Sequence, residues 1–93
     1  MPSANPRLVV HGTAYPLAKA AVSIGRGADV DIRIDDPGVS RHHATFHLGD
    51  PCSVVDLAST NGTWVREQRV SEAALSDGDE IRVGSTTLVF RVG

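Results

Sequence analysis

Glu80-Ile81-Arg82-Val83-Gly84-Ser85-Thr86-Thr87-Leu88-Val89-Phe90-Arg91-Val92, near the end of the chain, decides the structural class. In Glu80–Val83 charged and aliphatic side chains alternate, and Val89-Phe90-Arg91-Val92 likewise sets apolar residues against a charge. A period of two marks strands with one face on a core and the other in solvent, as in an antiparallel sheet. Gly84, between the two runs, reads as a tight turn.

Working outward from this segment, the other apolar runs are equally short and rich in β-branched residues. They are Arg7–His11, Tyr15–Leu17, Ala20–Ile24, Ile32–Ile34, Ala44–Leu48, Ser53–Asp56, Thr63–Val65 and a short piece near Arg69-Val70. No segment sustains helical periodicity. Within Val70–Leu75, Ser71-Glu72-Ala73-Ala74 has cap and helix-former character, but the stretch reads mainly as loop. The expected fold is all-β, a two-sheet antiparallel β-sandwich of about eleven strands.

Length and composition narrow the function. With 93 residues the chain makes one domain. A body of that size buries roughly two-thirds or less of its unfolded surface, which favours a surface-loop function over a deep active site. The 41% apolar and 22% charged content suits a folded protein. A net charge of -2 lacks the basic excess of a nucleic-acid or membrane-surface binder, so any anion must be held by a local cluster.

Cys52 is the single cysteine and can form neither an internal disulfide nor a thiolate metal site. His42 and His43 are adjacent, and His11 and His47 stand alone, so no metal site and no cofactor are expected. No window approaches the ~20 apolar residues of a membrane span, and Met1–Pro6 lacks a signal pattern. The expected location is the cytoplasm. The expected organisation is a short extension at 1–6 and a domain at 7–93, the chain being part of a longer protein.

The turns between strands carry most of the information. Gly25-Arg26-Gly27, Asp35-Asp36-Pro37-Gly38, Leu48-Gly49-Asp50-Pro51, Ser59-Thr60-Asn61-Gly62 and Asp77-Gly78-Asp79 all form turns by known mechanisms. Taken together, four elements resemble the forkhead-associated (FHA) family. They are Gly25-Arg26; Ser40-Arg41-His42-His43; Asp56-Leu57-Ala58-Ser59-Thr60-Asn61-Gly62-Thr63; and Leu75-Ser76-Asp77-Gly78-Asp79-Glu80-Ile81 with Gly84. They follow the order G-R, S-x-x-H, D-L-x-S-x-N-G-T and L-x-x-G-D-x-I-x-x-G, and span nearly the whole chain. The wording is most similar to bacterial, especially actinobacterial, members.

The resemblance implies a twisted SMAD/FHA-like sandwich whose loops gather at one end to bind phosphothreonine on an extended peptide. It assigns phosphopeptide contacts to Arg26, Ser40, Arg41, Thr60 and Asn61, and support of the loops to Gly25, His43 and Gly62. It also implies Ser/Thr protein kinases or their substrates as partners, with the domain acting as a monomer and not as an enzyme.

The residue chemistry suits that role. A phosphate carries about -1.5 to -2 charge and three strong acceptor oxygens, so its receptor needs clustered donors and a fixed cation. The Arg26 guanidinium can grip two oxygens at once, the Ser40 hydroxyl approaches without bulk, and the Asn61 amide can both donate and accept. Trp64 reads as partly buried support, and Asp29, Asp31, Asp35 and Asp36 as solvated loop charges that could disfavour acid on one side of a ligand. Two other readings stand: a phosphate-independent interaction module using a sheet face, and a hydrolase built on Ser40, His43 and Asp56. The second lacks a nucleophile elbow or an oxyanion pattern around Ser40.

Overall fold

The computed structural model describes residues 6–92. They form eleven strands and no helix: β1 (Arg7–Val10), β2 (Thr13–Pro16), β3 (Ala21–Gly25), β4 (Ile32–Arg33), β5 (Ala44–His47), β6 (Ser53–Asp56), β7 (Thr63–Val65), β8 (Gln68–Val70), β9 (Glu72–Ala74), β10 (Glu80–Val83) and β11 (Thr86–Arg91). One sheet runs β2-β1-β11-β10-β7-β8 and the other β4-β3-β5-β6-β9. Every pairing is antiparallel except β3 with β4, which is parallel. Of the expected extension at 1–6, residues 1–5 lie outside the described residues, while the Pro6 carbonyl accepts a hydrogen bond from Leu17 N at 3.0 Å.

Alternation builds the core. Ile81 and Val83 of β10, Leu88 and Phe90 of β11, and Leu8 and Val10 of β1 point inward from one sheet. Val22, Ile24, Ala44, Phe46 and Val54 face them from the other. Burying a side chain of this size is worth about 1.5–3 kcal/mol, so this interface between sheets dominates stability. Val89 departs from the expected pattern. It lies half-buried on the outer face with Arg91 and pairs across the ladder with Val9.

Two local expectations are corrected. Residues 72–74, read as loop, form β9 by adding to the edge of β6, with Ala73 opposite Val54 and half-buried. Sheet pairing outweighs the helix preference of Glu72-Ala73-Ala74, because propensity is weaker than a waiting ladder. His11, read as the end of β1, instead begins the turn to β2. His11 and Gly12 both have positive φ, at 49° and 79°, the mirror-image geometry that suits a two-residue hairpin.

The β7–β8 hairpin uses the same geometry without a glycine. Arg66 and Glu67 sit at φ 50° and 65°, a region that costs L-residues roughly 1–2 kcal/mol each. Arg66 also forms an ion pair with Asp79. Replacing Glu67 by Gly should therefore raise stability by about 1 kcal/mol and Tm by about 4–8 °C, measured by thermal denaturation.

Candidate functional site

Three loops meet at one end of the sandwich: residues 26–31 between β3 and β4, 34–43 between β4 and β5, and 57–62 between β6 and β7. Sheet order places them side by side, with the segment leading into β5 in the middle. The β3–β4 loop is fastened to that middle segment. Arg26 N donates to Ser40 O at 2.9 Å, Gly27 N to Arg41 O at 3.1 Å, and Arg26 Nε to Val39 O at 3.0 Å. This contact is so close that a Cβ on Gly25 would overlap the Arg41 carbonyl, standing 2.7 Å from its carbon. Gly25 is thus required by approach, not by φ.

The β6–β7 loop joins from the other side. His43 is fully buried, and its Nδ1 accepts from Ser40 N at 3.0 Å while its Nε2 reaches Gly62 O at 2.8 Å. Those partners fix the neutral tautomer with the proton on Nε2, which donates to the carbonyl. Thr60 N donates to Ser40 Oγ at 3.0 Å, and Asn61 Nδ2 donates to Gly38 O at 2.9 Å. Trp64 Nε1 in turn holds Asn61 O at 3.2 Å. Gly62, at φ +89°, supplies the left-handed turn that presents its carbonyl to His43.

The five expected contact residues therefore lie on one framework. Arg26, Ser40 and Thr60 are linked directly, Asn61 through Gly38, and Arg41 through its own backbone. Once those bonds are assigned, the Arg26 Nη groups, the whole Arg41 side chain, the Ser40 hydroxyl proton, the Thr60 hydroxyl and Asn61 Oδ1 have no hydrogen-bond partner among the described residues. Arg26, Arg41, Thr60 and Asn61 are exposed and Ser40 is half-buried. A depression on the outer face of the six-stranded sheet, around Trp64, Arg66, Asp79 and Arg82, contains none of the five. The framework is carried largely by exposed side chains.

The hydrolase geometry is not formed. Both ring nitrogens of His43 are committed to backbone atoms, neither to Ser40 Oγ nor to Asp56. Asp56 instead accepts from Ser59 Oγ at 2.5 Å, Ser59 N at 3.1 Å and Thr63 Oγ1 at 2.7 Å. Burial works to raise its pKa, but those bonds outweigh burial and hold it below the usual carboxylate range. Asp56 shapes the loop.

Sequence reasoning missed Asp36, which is buried and not a solvated charge. Its Oδ2 accepts from Thr86 Oγ1 at 2.7 Å and from Ser85 N and Oγ, both at 2.9 Å, and its Oδ1 accepts from Gly38 N at 2.8 Å. These bonds, that from Thr86 foremost, lower its pKa to about 2 and tie the middle loop to the β10–β11 turn. Its partners lie 49 and 50 residues away, and nothing local distinguishes Asp36 from Asp35. Of the other acids, Asp29 is held low by His42, at 2.8 Å, and Asp31 by Lys19, at 2.6 Å.

The family model of the FHA domain matches residues 22–84. The glycogen accumulation regulator GarA of Mycolicibacterium smegmatis is 42% identical over an alignment covering 100% of this chain and 63% of GarA. The chain thus spans less than two thirds of that curated relative. A structure from work on phosphothreonine-dependent FHA domain interactions superposes with TM-score 0.89 at 38% identity, covering 94% of this chain and 95% of that one. Mycobacterium tuberculosis EmbR in complex with a low-affinity phosphopeptide superposes with TM-score 0.89 at 40% identity, covering 94% of this chain and 24% of EmbR.

Two outcomes test the framework. Gly25→Ala must push β3 from the Arg41 carbonyl and should cost about 3 kcal/mol in chemical denaturation. Because the folded pKa of Asp36 is depressed, its contribution is complete above the unfolded value of 3.8 and lost as pH falls through about 2. The stability advantage of wild type over Asp36→Asn should accordingly shrink between pH 4 and pH 2 in acid titrations followed by circular dichroism.

Proposed function

The chain belongs to the FHA domain family, and on that premise we propose that it is a phosphothreonine-dependent peptide-binding module of bacterial Ser/Thr kinase signalling, acting within a larger protein. The domain is taken as residues 7–93. One observation carries this reading: on the framework that joins the three loops, Arg26 and Arg41 form no salt bridge with a carboxylate of the described residues. Two arginines on one framework, neither closed into an internal salt bridge, suit an anion supplied by a partner.

In the proposed complex the Arg26 fork takes two phosphate oxygens, with Nε already anchored on Val39 O to aim it. Ser40 donates its hydroxyl to a third, and Arg41 adds charge from the same loop. Thr60 offers a hydroxyl beside the phosphothreonine, and Asn61 Oδ1 accepts from the peptide main chain while Nδ2 keeps its bond to Gly38. Gly25, His43 and Gly62 hold these donors in place. Since the loops are already tied together, little ordering cost falls on binding.

The module binds and releases without catalysis, which agrees with the commitment of His43 to backbone groups. We take it to act as a monomer, without nucleic acid, in keeping with the net charge of -2. No described helix is long and apolar enough to cross a membrane. The cytoplasm is the proposed location because threonine phosphorylation depends on ATP there, and Ser/Thr kinases or their substrates are the proposed partners.

Calorimetric titration with matched phosphothreonine, phosphoserine and unmodified peptides tests the reading. Micromolar binding is expected for phosphothreonine, roughly fivefold weaker binding for phosphoserine through loss of a methyl contact, and none for the unmodified peptide. Arg26→Ala and Arg26→Lys should each lose roughly tenfold or more. Equal binding of the unmodified peptide, or full binding by Arg26→Ala, would overturn it.

A further inference from the structure

Arg69 lies outside all four sequence elements yet is held against the β6–β7 loop. It belongs to β8 and pairs across the ladder with Trp64, whose ring is covered on the β10 side by Arg82, 4.8 Å from the centroid. Arg69 instead lays its guanidinium stem over Gly62. A Cβ at Gly62 would collide with Arg69 Nε and stand 2.9 Å from Cζ and 3.0 Å from Cδ. The missing side chain of Gly62 is thus the seat of an arginine, next in sequence to Asn61.

Arg69 is exposed and its side chain forms no hydrogen bond or ion pair with a described residue. Such a charge, positioned by packing but without a counter-ion, is available to a ligand. Its place in the loop order matters. Across the sandwich end run the β3–β4 loop with Asp29 and Arg26, then Ser40 in the middle, then Thr60 and Asn61, and then Arg69. At one flank Asp29 is paired with His42 and Arg33 Nε is held on Arg26 O, while at the other the Arg69 guanidinium has no such partner.

Resting on the phosphothreonine reading, we propose that Arg69 is a specificity-determining residue, pairing with an acidic side chain of the bound phosphopeptide. An extended peptide advances about 3.3 Å per residue, so the acidic residue falls within about three positions of the phosphothreonine. It lies on the side that crosses the Asn61-Gly62 turn. At the opposite flank Arg33 is drawn onto Arg26 O and Asp29 is paired with His42, so no such preference is expected there.

The test is an acidic scan. A phosphothreonine peptide with alanine at three positions on either side is compared, by fluorescence anisotropy, with versions carrying a single Asp at each of those positions. Wild type should gain roughly two- to fivefold for Asp on one side only, and the gain should fall with added salt. Arg69→Met, which keeps a stem over Gly62, should bind the all-alanine phosphopeptide as wild type does but lose the gain. Arg69→Glu should invert it in favour of Lys at the same position. A flat scan in wild type, or a gain that survives in Arg69→Met, would overturn the proposal. Failure of the all-alanine phosphopeptide to outbind its unphosphorylated form would instead strike the phosphothreonine reading itself.

Discussion

The loop end depends on one buried imidazole. His43 sits between two loops and satisfies a backbone donor of one and a backbone acceptor of the other. Leaving either group buried and unpaired would cost about 1–3 kcal/mol, so the ring fixes where Ser40 and Gly62 stand relative to each other. Ser40 passes this constraint on in two directions, through its carbonyl to Arg26 and through its hydroxyl oxygen to Thr60. Buried side chains that join distant backbone segments do what an extra strand pairing would do elsewhere in a sandwich.

Asp36 and Asp56 play the same part at the two sides of this centre. Each is an acid whose oxygens are filled by Ser, Thr and backbone donors, and each closes a loop that carries candidate contact residues. The loops are therefore braced by anions beneath while cations stand above. That layering lets a chain of net negative charge set Arg26 and Arg41 outward at one end while two of its acids are spent on bracing.

Strand alternation and turn chemistry were legible because they act locally. Ile81, Val83, Leu88 and Phe90 announce a buried face by spacing alone, and Asn61 and Gly62 occur where a turn demands them, whereas Gly25 answers to the approach of the remote Arg41 carbonyl. The features that escaped depend on partners remote in sequence. β9 exists because β6 has a free edge, the role of Asp36 is set by Ser85 and Thr86, and Arg69 matters because Gly62 leaves room for it. Val89 shows the same limit, since a half-buried outer position comes from its neighbour Val9 rather than from its own run.

The bond from Thr60 N to Ser40 Oγ has a consequence for what the surface can sense. With that lone pair engaged, Ser40 in the proposed complex would meet a ligand chiefly as a donor, and the guanidinium groups of Arg26 and Arg41 can only donate. Those three side chains would favour ligands with spare lone pairs. A phosphate that takes up its second proton, at about pH 6, offers both a lower charge and an O–H where an acceptor is required. In the proposed complex, occupancy would thereby follow the ionisation of the ligand.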